Sequence, residues 1–361
     1  MKATQALAAA GQSLWLDNIT RDLIRSGTLK RYIDTLSVTG LTSNPSIFER
    51  AIANSSTYDA SLRRLAALGL SDEDVFFEIA SEDIADAADL FREIHDRTNG
   101  VDGWVSLEVS PLLAYDTAMT VAQAERLWRK LARPNLFIKI PGTPEGDAAI
   151  EQAIFAGIPV NVTLLFSAAH YRKAADAYLR GLERRRAAGL ELNVASVASL
   201  FVSRWDKAIA TLPAVLHNRL GIAVAQQTYR AYRELLESER WKTLAQAGAR
   251  PQRLLWASTG AKDRSVSDVL YVEALAAPDT INTLPEQTLL AFADHGRVTG
   301  TLNAGGDVDG VITQIADLGI DPENLATKLQ REGAGAFEDS WKSLISSIRT
   351  RTHAALATEA H

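Results

Sequence analysis

Cysteine is missing from all 361 residues. Its absence excludes disulfides, thiolate nucleophiles and cysteine-ligated metals together. The six histidines (His95, His170, His217, His295, His353 and His361) are scattered, and no pair has metal-ligand spacing. Neither a G-x-G-x-x-G run nor a Walker loop occurs, so no motif here cradles a nucleotide phosphate. No apolar stretch reaches the length of a membrane-spanning helix. The opening MKATQALAAAGQSLWLDN has a single lysine and a short Ala-rich run, too weak for a signal peptide. The cytoplasm is therefore the expected compartment. A formal net charge of −6 argues against nonspecific attraction to nucleic acid or to an anionic membrane. Any chemistry must use lysine, carboxylates, hydroxyls and amides.

Short apolar runs alternate with longer helical patterns, the signature of βα units around a parallel sheet. The expected strands are Ser13–Asn18, Val38–Ser43, Trp104–Val109, Leu136–Ile140, Pro159–Leu165, Leu192–Ser199, Leu254–Ser258 and Tyr271–Ala276. Between them lie segments such as SDEDVFFEIASEDIADAADLFREIH, with Ser71 and Asp74 placed as a capping box. No linker divides the chain, and there is no internal repeat. Eight strands fit one (β/α)8 TIM barrel, which needs about 250 residues. The remainder is expected as additional helices, including a C-terminal extension from about residue 297, all in one domain spanning 1–361.

Side chains alternate between the two faces of a strand. Val105, Leu107 and Val109 share one face, and Ser106, Glu108 and Ser110 the other. Ile138 and Ile140 oppose Lys139. Val160, Val162 and Leu164 oppose Asn161 and Thr163, Leu14 and Leu16 oppose Asp17, and Ser258 shares its face with Trp256. One face is thus apolar, as packing under helices requires. The other carries polar groups near the strand's C-terminal end, where barrel active sites lie. A solvated sheet face would be charged throughout, whereas each of these strands contributes only one or two groups.

Lys139 is the costly member, because a long cationic side chain is almost never buried without a partner. A free lysine amine has a pKa of ~10.4 and is nearly all protonated at neutral pH. Burial disfavours the ammonium, and a neutral amine attacks a ketone to form a Schiff base. The protonated imine is an electron sink that lets a neighbouring carbon–carbon bond break. The plainer alternative is a structural ion pair with Glu108 or Asp17, which does not explain Asn161, Thr163 and Ser199 on adjacent strands.

The runs GLTSNPSIF (Gly40–Phe48), LFIKIPGTPEG (Leu136–Gly146) and NVTLLFS (Asn161–Ser167) closely resemble the signatures of the transaldolase family. SVASLFVSRWD (Ser196–Asp206) and RLLWASTGAKD (Arg253–Asp263) resemble its next two strand ends. The resemblance runs from about Asp17 to Gly296 and weakens into the C-terminal helices. It is nearest to the longer bacterial members, some of which are fused to a sugar-phosphate isomerase. It implies a (β/α)8 barrel moving a dihydroxyacetone unit between sugar phosphates in the pentose phosphate pathway, with no metal or organic cofactor.

Carried across residue by residue, the resemblance implies Lys139 as the Schiff-base lysine and Asp17 as the acid/base at the C4 hydroxyl. Glu108 and Thr163 would hold the water that enters and leaves. Asn44 and Asn161 would bind the hydroxyls of the dihydroxyacetone unit, with Ser199 nearby. Phe201 would line the pocket, and Arg204 would grip the phosphate beside Ser258. Many members have an arginine two residues after that serine, but this chain has Gly260, and Lys262 is expected to replace it. Relatives are often dimers, and the C-terminal helices offer a surface for a homodimer.

The nearest alternative is a fructose 6-phosphate aldolase, a shorter relative that releases free dihydroxyacetone. It carries glutamine at the position of Glu108 and tyrosine at that of Phe201, so both residues here side with transaldolase. A catalytically silent sugar-phosphate binding module is the alternative from another class, and it would be expected to lose Lys139 or its partners. Other features have plain explanations. The arginines of LERRRAAG sit at a helix end, the seven tryptophans pack, His295 precedes a cap at Gly296, and Asp263 with Arg264 is a solvated charge cluster.

Overall fold

The computed structural model describes residues 2–210, 216–263, 265–302 and 308–359. Arg264 lies outside them. Eight parallel strands close into a barrel in chain order: β1 (Gln12–Asp17), β2 (Val38–Thr42), β3 (Trp104–Glu108), β4 (Leu136–Pro141), β5 (Val160–Leu165), β6 (Ser196–Phe201), β7 (Arg253–Ala257) and β8 (Thr280–Leu284). Pairing of β1 with β8, from Gln12↔Thr280 to Leu16↔Leu284, closes the ring. This is the expected (β/α)8 barrel with additional helices. Among the described residues, no helix is long and apolar enough to cross a membrane.

Alternation along the strands sorts the interior. Leu14, Leu16, Val105, Leu107, Ile138 and Ile140 pack under the helix layer. Trp15, Trp104, Phe137, Val197, Leu255 and Ile281 fill the barrel's lower half. Trp104 stacks on Phe137 with ring centroids 4.1 Å apart. Gly40 is required there, because a Cβ would lie 2.6 Å from the Trp15 ring. Two residues higher on these strands, the inward positions turn polar: Asp17, Thr42, Lys139, Ser199 and Thr283. An apolar plug below a polar mouth confines ligand to the C-terminal end.

Four expectations need correction. Tyr271–Ala276 is not a strand. Its buried residues Tyr271, Val272, Leu275 and Ala276 follow helical spacing, and Leu270–Ala274 is a helix. The eighth strand is Thr280–Leu284 instead, which hides from a hydrophobicity search because it is TINTL. The sixth begins at Ser196 rather than Leu192 and reaches Phe201. Trp256 points to the helix layer, where its Nε1–H donates to the Leu275 carbonyl at 3.0 Å. Ser258 does not share its face: the strand ends at Ala257, and φ +56° at Ser258 re-aims the chain. Leu164 likewise leaves the face of Val160 and Val162, because a register shift and φ +61° turn it into the cluster with Phe166 and Phe201.

The helix Pro322–Glu359 crosses the mouth of the barrel. Gln330 Nε2 donates to the carbonyls of Gly142 (2.8 Å) and Leu164 (3.0 Å), at the ends of β4 and β5. Further along, Ser340 and Ser46 share a hydrogen bond of 2.7 Å, and Trp341 packs edge-on to Phe76 at 4.9 Å. The expected cap at Ser71 is present, accepting from the Asp74 N–H at 3.1 Å to start the helix Asp72–Arg97.

Candidate active site

Two sequence motifs build the mouth by the same local device, a strand that stops and hands over directly to a helix. In TSNP, Thr42 ends β2, and Asn44 caps the helix Pro45–Asn54 by accepting from the Ile47 N–H at 3.1 Å. Pro45 occupies the first helical position, where its missing N–H costs nothing. In PGTP, Thr143 caps the helix Pro144–Phe155, accepting from Gly146 N–H at 3.0 Å. Strand ends are thereby pinned, and so are the side chains just before them.

All of the predicted site residues except Glu108 and Asn161 line one cleft of about 120 Å³: Asp17, Asn44, Lys139, Thr163, Ser199, Phe201, Arg204, Ser258 and Lys262. Glu108 and Asn161 lie directly beneath it, on the strands flanking Lys139. The ladder pairs Glu108 with Lys139 and Lys139 with Asn161. Lys139 is 5% exposed. Its Nζ donates to Glu108 Oε2 and to the Ser43 carbonyl, each at 3.0 Å. The ion pair considered from sequence and the reactive-amine geometry are therefore the same contact.

Burial pushes the Glu108 carboxyl above the usual range, and the adjacent Lys139 charge opposes the rise. Asp17 is also raised by burial, against the pull of Lys139 and of Thr42. Thr42 Oγ1 donates to Asp17 Oδ1 at 2.9 Å and lies 2.7 Å from Thr283 Oγ1. Both carboxyls are thus held above their usual range by burial, and in each the Lys139 charge is the largest opposing influence. Among the described residues, Glu108 Oε1 and Thr163 Oγ1 are both buried without a partner, a costly state for a polar atom. Asn161 is held at both ends of its amide, donating to Ser106 Oγ (3.1 Å) and accepting from Ser199 Oγ (2.7 Å), which leaves one N–H and one lone pair for a ligand.

At the other end of the cleft the charge is positive. The half-buried Arg204, in the helix Ser203–Ala208, lies over the Phe201 ring at 5.2 Å and the Phe337 ring at 5.9 Å. Among the described residues, no hydrogen bond or ion pair satisfies its guanidinium. Burial lowers its pKa, with Glu332 as the opposing influence. The exposed Lys262 bends back so that its Nζ would lie 3.9 Å from a Cβ on Gly260. Ser258 Oγ, 2.9 Å from Ser203 Oγ, stands between the two cations and the strand ends. A wider groove of about 940 Å³ continues outward from Arg204, Ser258 and Lys262.

Sequence reasoning missed Thr42, Thr283 and Phe337. Thr42 lay in a quoted motif, and strand alternation from Gly40 would have found it. Thr283 was lost with the misplaced eighth strand. Phe337 had no signal, since it belongs to a helix read only as an extension.

A closed parallel barrel whose mouth holds a buried lysine beside carboxyls, with a pair of cations at the cleft's far end, has the arrangement of a barrel enzyme that works at its strand ends. The family model described as Transaldolase/Fructose-6-phosphate aldolase matches residues 14–348. Transaldolase from Saccharopolyspora erythraea is 47% identical over 354 residues, covering 96% of each chain. Transaldolase from Thermobifida fusca is 47% identical over 356 residues, 95% of this chain and 96% of its own. Transaldolase from Mycobacterium tuberculosis is 45% identical over 360 residues, 96% of each. The chain belongs to the transaldolase/fructose-6-phosphate aldolase family, and it is an enzyme of the transaldolase type.

Proposed function

We propose that Lys139 carries a dihydroxyacetone unit as a Schiff base between sugar phosphates. Sedoheptulose 7-phosphate and glyceraldehyde 3-phosphate would give erythrose 4-phosphate and fructose 6-phosphate, in the non-oxidative pentose phosphate pathway. The observation that carries this reading is Lys139 Nζ, buried and hydrogen-bonded to Glu108 and Ser43, in a cleft that also holds Asp17.

The Lys139 amine attacks the ketose C2 carbonyl, and a water leaves as the imine forms. Glu108 and Thr163, whose unpartnered oxygens lie on the strands either side of Lys139, hold that water and move its protons. Asp17 takes the proton from the C4 hydroxyl. The C3–C4 electron pair moves into the iminium, and the shortened aldose departs. The enamine left on Lys139 then attacks the incoming aldose through the reverse steps. Asn44, Asn161 and Ser199 hold the hydroxyls of the three-carbon unit. Arg204, Ser258 and Lys262 receive the phosphate, with Lys262 in place of the family's second arginine. Phe201 and Glu108 favour transfer over the aldolase alternative, because a phenylalanine cannot donate a proton to the enamine. A cytoplasmic location and a homodimer complete the proposal.

Intact mass after fructose 6-phosphate and borohydride tests it. The wild type gains one reduced dihydroxyacetone unit and Lys139→Met gains none. A folded wild type without adduct overturns the covalent mechanism and favours a silent binding module.

A further inference from the structure

The mouth of the cleft is walled on one side by a residue that no strand supplies. Phe337 is 5% exposed, and its ring centre lies 5.6 Å from Lys139 Nζ and 5.9 Å from the Arg204 guanidinium carbon. It extends the aromatic row Phe166–Phe201, standing 6.5 Å from Phe201. Two donor directions of Lys139 Nζ are occupied by Glu108 and Ser43. Phe337 flanks the cleft side, where the substrate carbon must bond. The ring is held on both sides along its helix, by Gln330 to β4 and β5 and by Ser340 and Trp341 to the Ser46 and Phe76 helices. Gly333, one turn before, lets the helix approach. A Cβ there would lie 3.0 Å from Leu164 Cδ2 and 3.1 Å from Arg204 Nη1.

We infer that Phe337, beside Phe201, biases the three-carbon unit toward transfer rather than release. The inference rests on Lys139 forming the Schiff base. Release requires the enamine to take a proton at C3, giving an iminium. Water then adds to C2, and the lysine amine leaves with free dihydroxyacetone as product. Transfer requires the enamine to wait for an aldehyde instead. An apolar ring fixed beside the nitrogen has no proton to give and keeps bulk water, the remaining proton source, away from C3 of the waiting enamine, while the water held by Glu108 and Thr163 still serves C2 in every turnover. An aldose is admitted because its phosphate is drawn to Arg204, on the same ring.

The test compares wild type with Phe337→Ala and Phe337→Leu, feeding fructose 6-phosphate with and without erythrose 4-phosphate. Free dihydroxyacetone and transferred product are measured, together with the borohydride-trapped adduct. For Phe337→Ala the ratio of release to transfer rises about tenfold, less than the ~100-fold of a positioned general acid because the admitted donor is water. For Phe337→Leu, which keeps most of the bulk, it rises about threefold or less. Should the alanine variant fail to fold, Phe337→Val gives the same readout. An unchanged ratio in a variant that still forms the adduct overturns the inference alone. Absence of the adduct in wild type overturns the Lys139 mechanism and the inference with it.

Discussion

Replacing Arg204 with methionine should separate substrate binding from folding, with opposite effects on the two. The guanidinium lies over two aromatic rings, has no hydrogen bond or ion pair among the described residues, and is half-buried. An arginine fork on a phosphate makes two charge-assisted hydrogen bonds, each worth about 1.5–3 kcal/mol. Lys262 and Ser258 remain on the same anion, so part of that interaction survives. A net loss of about 3 kcal/mol is expected, or a factor of about 100–200 in kcat/KM for a phosphorylated donor. Arg204→Lys keeps the charge but not the fork and should lose about tenfold. The assay follows the aldose released: glyceraldehyde 3-phosphate from fructose 6-phosphate with erythrose 4-phosphate as acceptor, and glyceraldehyde from unphosphorylated fructose with unphosphorylated erythrose as acceptor. Fructose turnover should hardly change. Thermal melting should show the variant at least as stable as wild type, because a cation held without a partner opposes folding. Equal losses on both donors would refute the phosphate role, and a large drop in melting temperature would show that Arg204 holds the fold.

Thr42→Val removes the hydroxyl that holds the Asp17 pKa down against burial. Asp17 then stays protonated to higher pH, so the acid limb of kcat/KM moves upward while the alkaline limb stays in place; an unmoved acid limb would show that Asp17 is not the base. Lys262→Ala removes an exposed cation, so KM for phosphorylated substrates should rise about three- to tenfold, less at high salt. An unchanged KM would mean that Lys262 does not stand in for the arginine missing at Gly260.

What strand alternation could reveal was set by how regular each strand is. Asp17, Glu108, Lys139, Asn161, Thr163 and Ser199 alternate with apolar neighbours along their strands, so their shared inward face could be read directly. Ser258 and Leu164 could not be placed this way, because a left-handed residue at a strand end breaks the period of two. The eighth strand failed for a different reason. A barrel's inward and upward positions are polar where the site lies, so TINTL looks like a loop while the helical YVEALA looks like a strand. Phe337 marks the limit of local reading. Amphipathic spacing predicts that a helix face is buried, but not against which distant cleft. Arg204 was visible only through the resemblance, since an arginine at a helix start is otherwise a surface residue.

The helix over the mouth also has a consequence for the order of synthesis. Every strand is complete once Leu284 has been made, and a barrel can begin to assemble from that point. Phe337 and the ties on either side of it emerge later. A nascent chain that assembled its barrel at that stage would hold Lys139 unroofed, and on the proposed chemistry its amine would be open to any free carbonyl compound nearby. Only the final stretch of translation supplies the roof, so a chain cut short before residue 322 would lack the wall that Phe337 gives the cleft.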